Sequence, residues 1–199
     1  MRAADKLGAA YQAKARAELA DADAIVGAAP GAWDGPLVGA RIAFLVAHRA
    51  APAPAAILAS RTAEAVTGAA EALGSEDAAF ILVTRPILET PAQDRARRVR
   101  VALEAVDAPA VIALDSEAAE DLAVAFGLDA LRPGAPVHAL GRSLGSVGDF
   151  AASLDDTAAK ARAWSAMKAV AAPAGLKAKG RPKAPPAEPG PGPKAAGRD

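Results

Sequence analysis

Ala110-Val111-Ile112-Ala113-Leu114-Asp115-Ser116-Glu117-Ala118-Ala119-Glu120 changes character at Asp115. Its first five residues are apolar without alternation, the pattern of a strand covered on both faces. Beyond Asp115 a helix is predicted. Ser116 is its expected cap, and Glu117 and Glu120 lie in the first turn, where carboxylates suit the helix dipole. Gly127 supplies the stop signal. A buried strand that runs straight into a helix is the repeating unit of a parallel α/β sheet.

The same unit recurs on both sides. Apolar runs at residues 41–47, 79–84 and 136–140 complete a set of four predicted strands. Between them, residues 56–73 carry Ile57, Leu58, Val66 and Leu73 at helical spacing and stop at Gly74. Thr90 is the expected cap of the next helix, with Pro91 in its first turn; that helix runs to Val106 and closes before Pro109. Leu7, Tyr11, Ala15 and Leu19 predict an N-terminal helix over residues 3–24. Pro30-Gly31 and Gly35-Pro36 mark residues 27–39 as a loop. A last helix starts at Asp155-Asp156-Thr157 and runs to Val170, with Trp164, Met167 and Val170 on the face that docks. The alternation predicts a three-layer α/β/α sandwich around a mostly parallel four-stranded sheet.

The chain has 199 residues, 52% of them hydrophobic and only 4% aromatic, so the core is built from small side chains, much of it alanine. There is no cysteine, which excludes disulfides, thiolate zinc sites and iron–sulfur clusters. His48 and His138 are too few for a histidine-rich metal site, and neither a metal nor a cofactor is expected. No apolar stretch approaches the ~20 residues that span a bilayer, and no signal-type run opens the chain. A cytoplasmic protein without a membrane partner is the expectation. From Pro173 the composition becomes proline, glycine, alanine and lysine. Lys177, Lys179, Arg181, Lys183, Lys194 and Arg198 there face only Glu188 and Asp199. Such a segment cannot bury enough apolar surface to offset its ordering entropy. The expected organisation is a folded domain over residues 1–172 and a disordered basic tail over 173–199.

The helix Leu154-Asp155-Asp156-Thr157-Ala158-Ala159-Lys160-Ala161-Arg162-Ala163-Trp164-Ser165-Ala166-Met167-Lys168 resembles one that follows the catalytic loop in bacterial members of the uracil-DNA glycosylase superfamily. Ala72-Leu73-Gly74, the strand from Phe80 and then Arg85-Pro86 are similar to that family's helix, strand and Arg-Pro. Leu114-Asp115 with Ala118-Ala119 is similar to its strand–helix junction. The resemblance covers residues 3–171 and implies that family's α/β fold, DNA as a partner and hydrolytic release of a base.

The departures are at the chemistry. The family's first strand leads into a glycine-rich loop with an acid or amide that activates water. Here His48-Arg49-Ala50-Ala51-Pro52 follows instead. The family's last loop carries a histidine that stabilises the departing base. Counting back from the helix, Asp149 stands in its place, and an anion there repels the leaving group. Where the larger bacterial members hold a cluster cysteine, this chain has Asp21-Ala22-Asp23. The resemblance therefore implies a member without the catalytic motifs, acting as a binding or accessory factor with DNA or a DNA-metabolism protein. Two other readings stay open: a glycosylase-fold enzyme of altered chemistry, and an interaction module unrelated to nucleic acid.

Several side chains have a functional and a plain reading. His48 and Asp115 lie at strand ends where open α/β sheets bind ligands, and with Asp149 they are the candidate catalytic residues. Arg49, Arg85 and, in the tail, Lys179, Arg181 and Lys183 are the candidate nucleic-acid contacts; Gly180-Arg181-Pro182 is similar to the core of minor-groove AT-hooks. His138 reads as a hydrogen-bonded core residue. Arg95, Arg97, Arg98 and Arg100 read as a solvated helix face paired with Asp94 and Glu104, ahead of a phosphate surface. Residues 141–148 read as a glycine-rich connection, lacking the lysine and spacing of a P-loop. Asp155 and Asp156 read as helix caps, and Trp164 as a core anchor.

Overall fold

A computed structural model describes residues 3–28, 32–47, 57–75, 79–85 and 90–178. In chain order the elements are α1 (Ala3–Val26), β1 (Trp33–Asp34), β2 (Ile42–Val46), α2 (Ser60–Ala72), β3 (Ala79–Val83), α3 (Ala92–Val106), β4 (Ala110–Ala113), α4 (Ser116–Ala125), β5 (Val137–Ala139), β6 (Arg142–Ser146), α5 (Phe150–Ser153), α6 (Thr157–Ala171) and a 3-10 turn, Ala172–Ala174. They build one six-stranded mixed sheet in the order β1-β3-β2-β4-β6-β5. The four inner strands are parallel, and β1 and β5 pair antiparallel at the two edges.

Alternation along the inner strands explains their unbroken apolar runs. Ala43 and Leu45 of β2, Phe80 and Leu82 of β3, and Val111 and Ala113 of β4 enter one core with α1, α3 and α4. Ile42, Phe44, Ala110 and Ile112 point the other way, into a core shared with α2, α5 and α6. Both faces are covered, so neither needs polar residues.

The fourth parallel strand is not the predicted one. Residues 136–140 hold the antiparallel edge strand β5, and the inner position belongs to β6, inside the segment expected to be a loop. Leu140 and Gly141 join them, with φ of 50° and 78°. Positive φ at both central residues makes a tight hairpin turn that matches strand twist. Gly145 of β6 is a packing residue: a Cβ there would lie 2.3 Å from Val170 Cγ2 of α6. The glycine that suggested a turn instead lets α6 sit close against the sheet.

Two helix starts also differ. Asp115, not Ser116, caps α4, accepting from the Ala118 N–H at 2.7 Å. Pro91 is the residue before α3, without a side-chain cap, and the Thr90 carbonyl accepts from the Arg95 guanidinium. Asp156 caps α6 through the Ala159 N–H at 2.6 Å. The chain stays packed beyond the expected boundary at Pro173, since Leu176 is buried in the second core.

Candidate functional site

From β2 the chain crosses to β3 on one side, then returns to place β4 on the other. The C-terminal ends of β2 and β4 therefore diverge into a crevice, the position where open α/β sheets bind ligands. Asp115 spans it. Its Oδ2 accepts from the Ala47 N–H at 2.8 Å, just past β2, while Oδ1 holds the first turn of α4. Beyond β6, Gly148 takes a φ of 76° and its N–H donates to Ser146 Oγ at 3.1 Å. That bend delivers Asp149, whose Oδ1 accepts from the Ala152 N–H at 2.9 Å and caps α5.

Asp115 and Asp149 line one cavity of about 320 Å³, with Val46, Leu58, Leu114 and Phe150 as apolar walls and Thr62 and Glu117 as further polar groups. Burial raises the Asp115 carboxyl above its ordinary value; the N–H bonds from Ala118 and Ala47 oppose this, and the Glu117 charge adds to it. The chemistry on offer is that of hydrogen-bond acceptors and negative charge beside apolar surface. Such a crevice accepts N–H donors or cations and disfavours a developing anion.

Compared with known proteins, the sequence matches no family model and no curated protein.

The sequence candidates divide sharply. Asp115 and Asp149 meet at the crevice. His48 and Arg49, next in the chain after Ala47, lie outside the described residues, as do Lys179, Arg181 and Lys183. Arg85 lies inside an ion-pair cluster. Its Nε donates to Asp121 Oδ2 at 3.0 Å and its Nη2 to Glu120 Oε2 at 3.0 Å. Burial of Arg85 lowers its pKa, and the acids of α4, Asp121 first, outweigh that to leave it raised. Its charge is thus countered internally by the acids of α4.

The α3 arginines are likewise not a solvated face. Arg95 joins Asp121 at 3.1 Å, and Arg98 is fully buried against Asp23 at 2.8 Å. Arg100 does pair with Glu104 and also covers the Phe126 ring at 4.8 Å; Arg97 is exposed. His138, expected in the core, is exposed on edge strand β5. Trp164 is half-buried and packs against the second core, with Lys168 Nζ 5.8 Å from its ring centre.

Leu58, Thr62 and Phe150 carry no mark in the sequence, because nothing local distinguishes a crevice wall. The one signal is Asp149, an acceptor at the cap of α5, whose first residue is Phe150. Among the described residues, no three His, Asp or Glu side chains gather to hold a metal, and no helix is long and apolar enough to cross a membrane.

Proposed function

We propose that this chain is a divergent member of the uracil-DNA glycosylase superfamily that acts as an accessory DNA-binding factor without excising bases. Asp149 carries this reading. It lines the crevice at the strand ends, in the chain position where the resemblance puts a charge-stabilising histidine. A carboxylate there opposes departure of a uracil anion. The arginines of the body supply a second line of support. Arg85, Arg95 and Arg98 are committed to Asp121, Glu120 and Asp23. The basic residues of the tail, beside exposed arginines of the body such as Arg97, then become the phosphate contacts.

A second reading, base excision by altered chemistry, is favoured by one observation. Asp115, with its carboxyl raised by burial, shares the crevice with Asp149, and a raised carboxyl suits general acid work.

One experiment separates the two. Duplexes with and without uracil are titrated with the full chain, and with a chain ending at Ala178, across a salt series. Base release is assayed in the same samples. The accessory reading expects no release, no preference for uracil, and a salt slope that shrinks by about 0.9 for each phosphate the shortened chain no longer neutralises. Uracil release that Asp115→Asn or Asp149→Ala abolishes overturns it in favour of the enzyme. Absence of DNA binding by the full chain removes both and leaves a protein partner.

A further inference from the structure

Helices α2 and α6 lie side by side over the second core and leave a groove between them. Its volume is about 240 Å³, and its lining includes Ala65, Gly68 and Ala72 from α2, Phe150 from α5, and Trp164 and Met167 from α6. The surface is mostly apolar, and Trp164 is partly exposed. Gly68 stands out within it. A Cβ at this position would meet no atom within 4 Å, so nothing in the fold requires glycine. In a helix interior glycine costs about 1 kcal/mol relative to alanine. What it provides is a lower groove wall.

The described chain ends beside this groove. Leu176 is buried, and the Lys177 carbonyl lies 3.5 Å from where a Cβ on Gly74 would be, just beyond the last residue of α2. The sequence that follows is Lys179-Gly180-Arg181-Pro182-Lys183-Ala184-Pro185-Pro186-Ala187-Glu188-Pro189. Pro182 and Pro185, and again Pro186 and Pro189, have the three-residue spacing that puts prolines on one face of a polyproline helix, the form that docks in aromatic-lined grooves. At about 3.1 Å per residue these eleven residues span roughly 34 Å, whereas α2, at about 1.5 Å per residue, is roughly 20 Å long. Charge is divided: Lys160 lines the groove and opposes a basic strand, while α2 supplies acids beside it. Glu64 and Glu71 are exposed on α2 and have no ion-pair partner among the described residues, and the segment opens with Lys179, Arg181 and Lys183.

We propose that residues 179–189 of this same chain lie along the α2–α6 groove as an extended proline-rich strand. Pro182 and Pro185 pack on Trp164 and the Gly68 gap, and the basic residues turn toward Glu71 and Glu64. The tail is thereby a strap across the second core, and the α2 acids and DNA phosphates compete for its basic residues.

The chain has no cysteine, so Ala187→Cys in the full-length protein gives a single attachment point for a nitroxide. The expected result is selective broadening of the amide signals of residues 65–72 and of the Trp164 indole. It should be lost in Gly68→Leu, which fills the groove. It should also be lost when Pro182, Pro185 and Pro186 are all changed to glycine, which leaves the packed body untouched. Broadening that is absent, evenly spread, or retained in both variants overturns the proposal. Broadening that persists when nitroxide and isotope are on different molecules, and vanishes when they share one molecule diluted in unlabelled protein, overturns it too and makes a second copy the donor of the segment.

Discussion

Arg98 of α3, fully buried, donates from Nη2 and Nε to Asp23 Oδ1 of α1 at 2.8 and 3.0 Å. Its Nη1 meets the Val83 carbonyl at the end of β3. One guanidinium thus joins two helices to the sheet. Burial pushes the Arg98 pKa down, and Asp23 works against that. Removing Asp23 leaves a buried cation uncompensated, at a cost of about 3–5 kcal/mol. Removing the arginine leaves an aspartate with a side chain 21% exposed, which water can reach. Asp23→Ala should therefore destabilise the protein more than Arg98→Met, and the double variant less than the sum of the two. Urea midpoints for the three proteins test this; additive losses would mean that the pair is not coupled.

Gly145 and Val170 make a second testable contact. A methyl group on Gly145 would stand only 2.3 Å from Val170 Cγ2, so Gly145→Ala must push α6 off β6. Overpacking of this kind costs about 1–3 kcal/mol. Val170→Ala alone should also destabilise, by opening a cavity. Combined, the two changes relieve each other, and thermal unfolding of the double variant should show a smaller loss than the single changes predict. Simple additivity would place α6 farther from the sheet.

These two contacts mark where the sequence can and cannot be read. The runs around Phe44, Ile81 and Ile112 announce themselves because each strand is covered on both faces. β6 is hidden because Gly145 carries the local signature of a turn, and its meaning depends on Val170, which is distant in the chain. Arg98 looks like part of a solvated run because Asp23, 75 residues away, is what balances its charge. Arg85 looks free for phosphate for the same reason, with Asp121 lying 36 residues on. At the crevice, Asp115 and Asp149 are legible as polar residues at strand ends. Leu58, Thr62 and Phe150 are not, since only the crossing of the chain at the switch point brings them together.

The β5–β6 turn offers a stabilising change. Leu140 adopts a φ of 50° and is 62% exposed, so it bears left-handed strain without packing to offset it. A side chain with a Cβ costs about 1–2 kcal/mol there, and asparagine before glycine is the favoured pair for this turn. Leu140→Asn should raise stability by about 1 kcal/mol, visible as a higher Tm. No gain, or a loss, would mean that Leu140 is held by a contact beyond the described residues.

Asp115 sets a pH dependence whose sign can be worked out. Its folded-state pKa is raised above 3.8, chiefly by burial. Between the unfolded and folded values, the folded chain binds more protons, so this group's contribution to stability rises as pH falls. Above both values the buried carboxylate is a standing cost. Asparagine in its place still caps α4 but does not titrate, and it turns a donor toward the Ala47 N–H, losing about 1 kcal/mol. The stability gap between wild type and Asp115→Asn should widen as pH is lowered through the interval just above the ordinary carboxylate value. Asp156 provides the opposite case. Its pKa is lowered, first by the Ala159 N–H, so its contribution is present above the unfolded value and fades as pH falls through the folded one. The gap for Asp156→Asn should narrow over that lower range. Denaturation midpoints across pH for the three proteins measure both slopes. If the Asp115 gap narrows as well, the two N–H bonds outweigh burial, and Asp115 is a structural clip between β2 and α4 with no carboxyl poised for chemistry in the crevice.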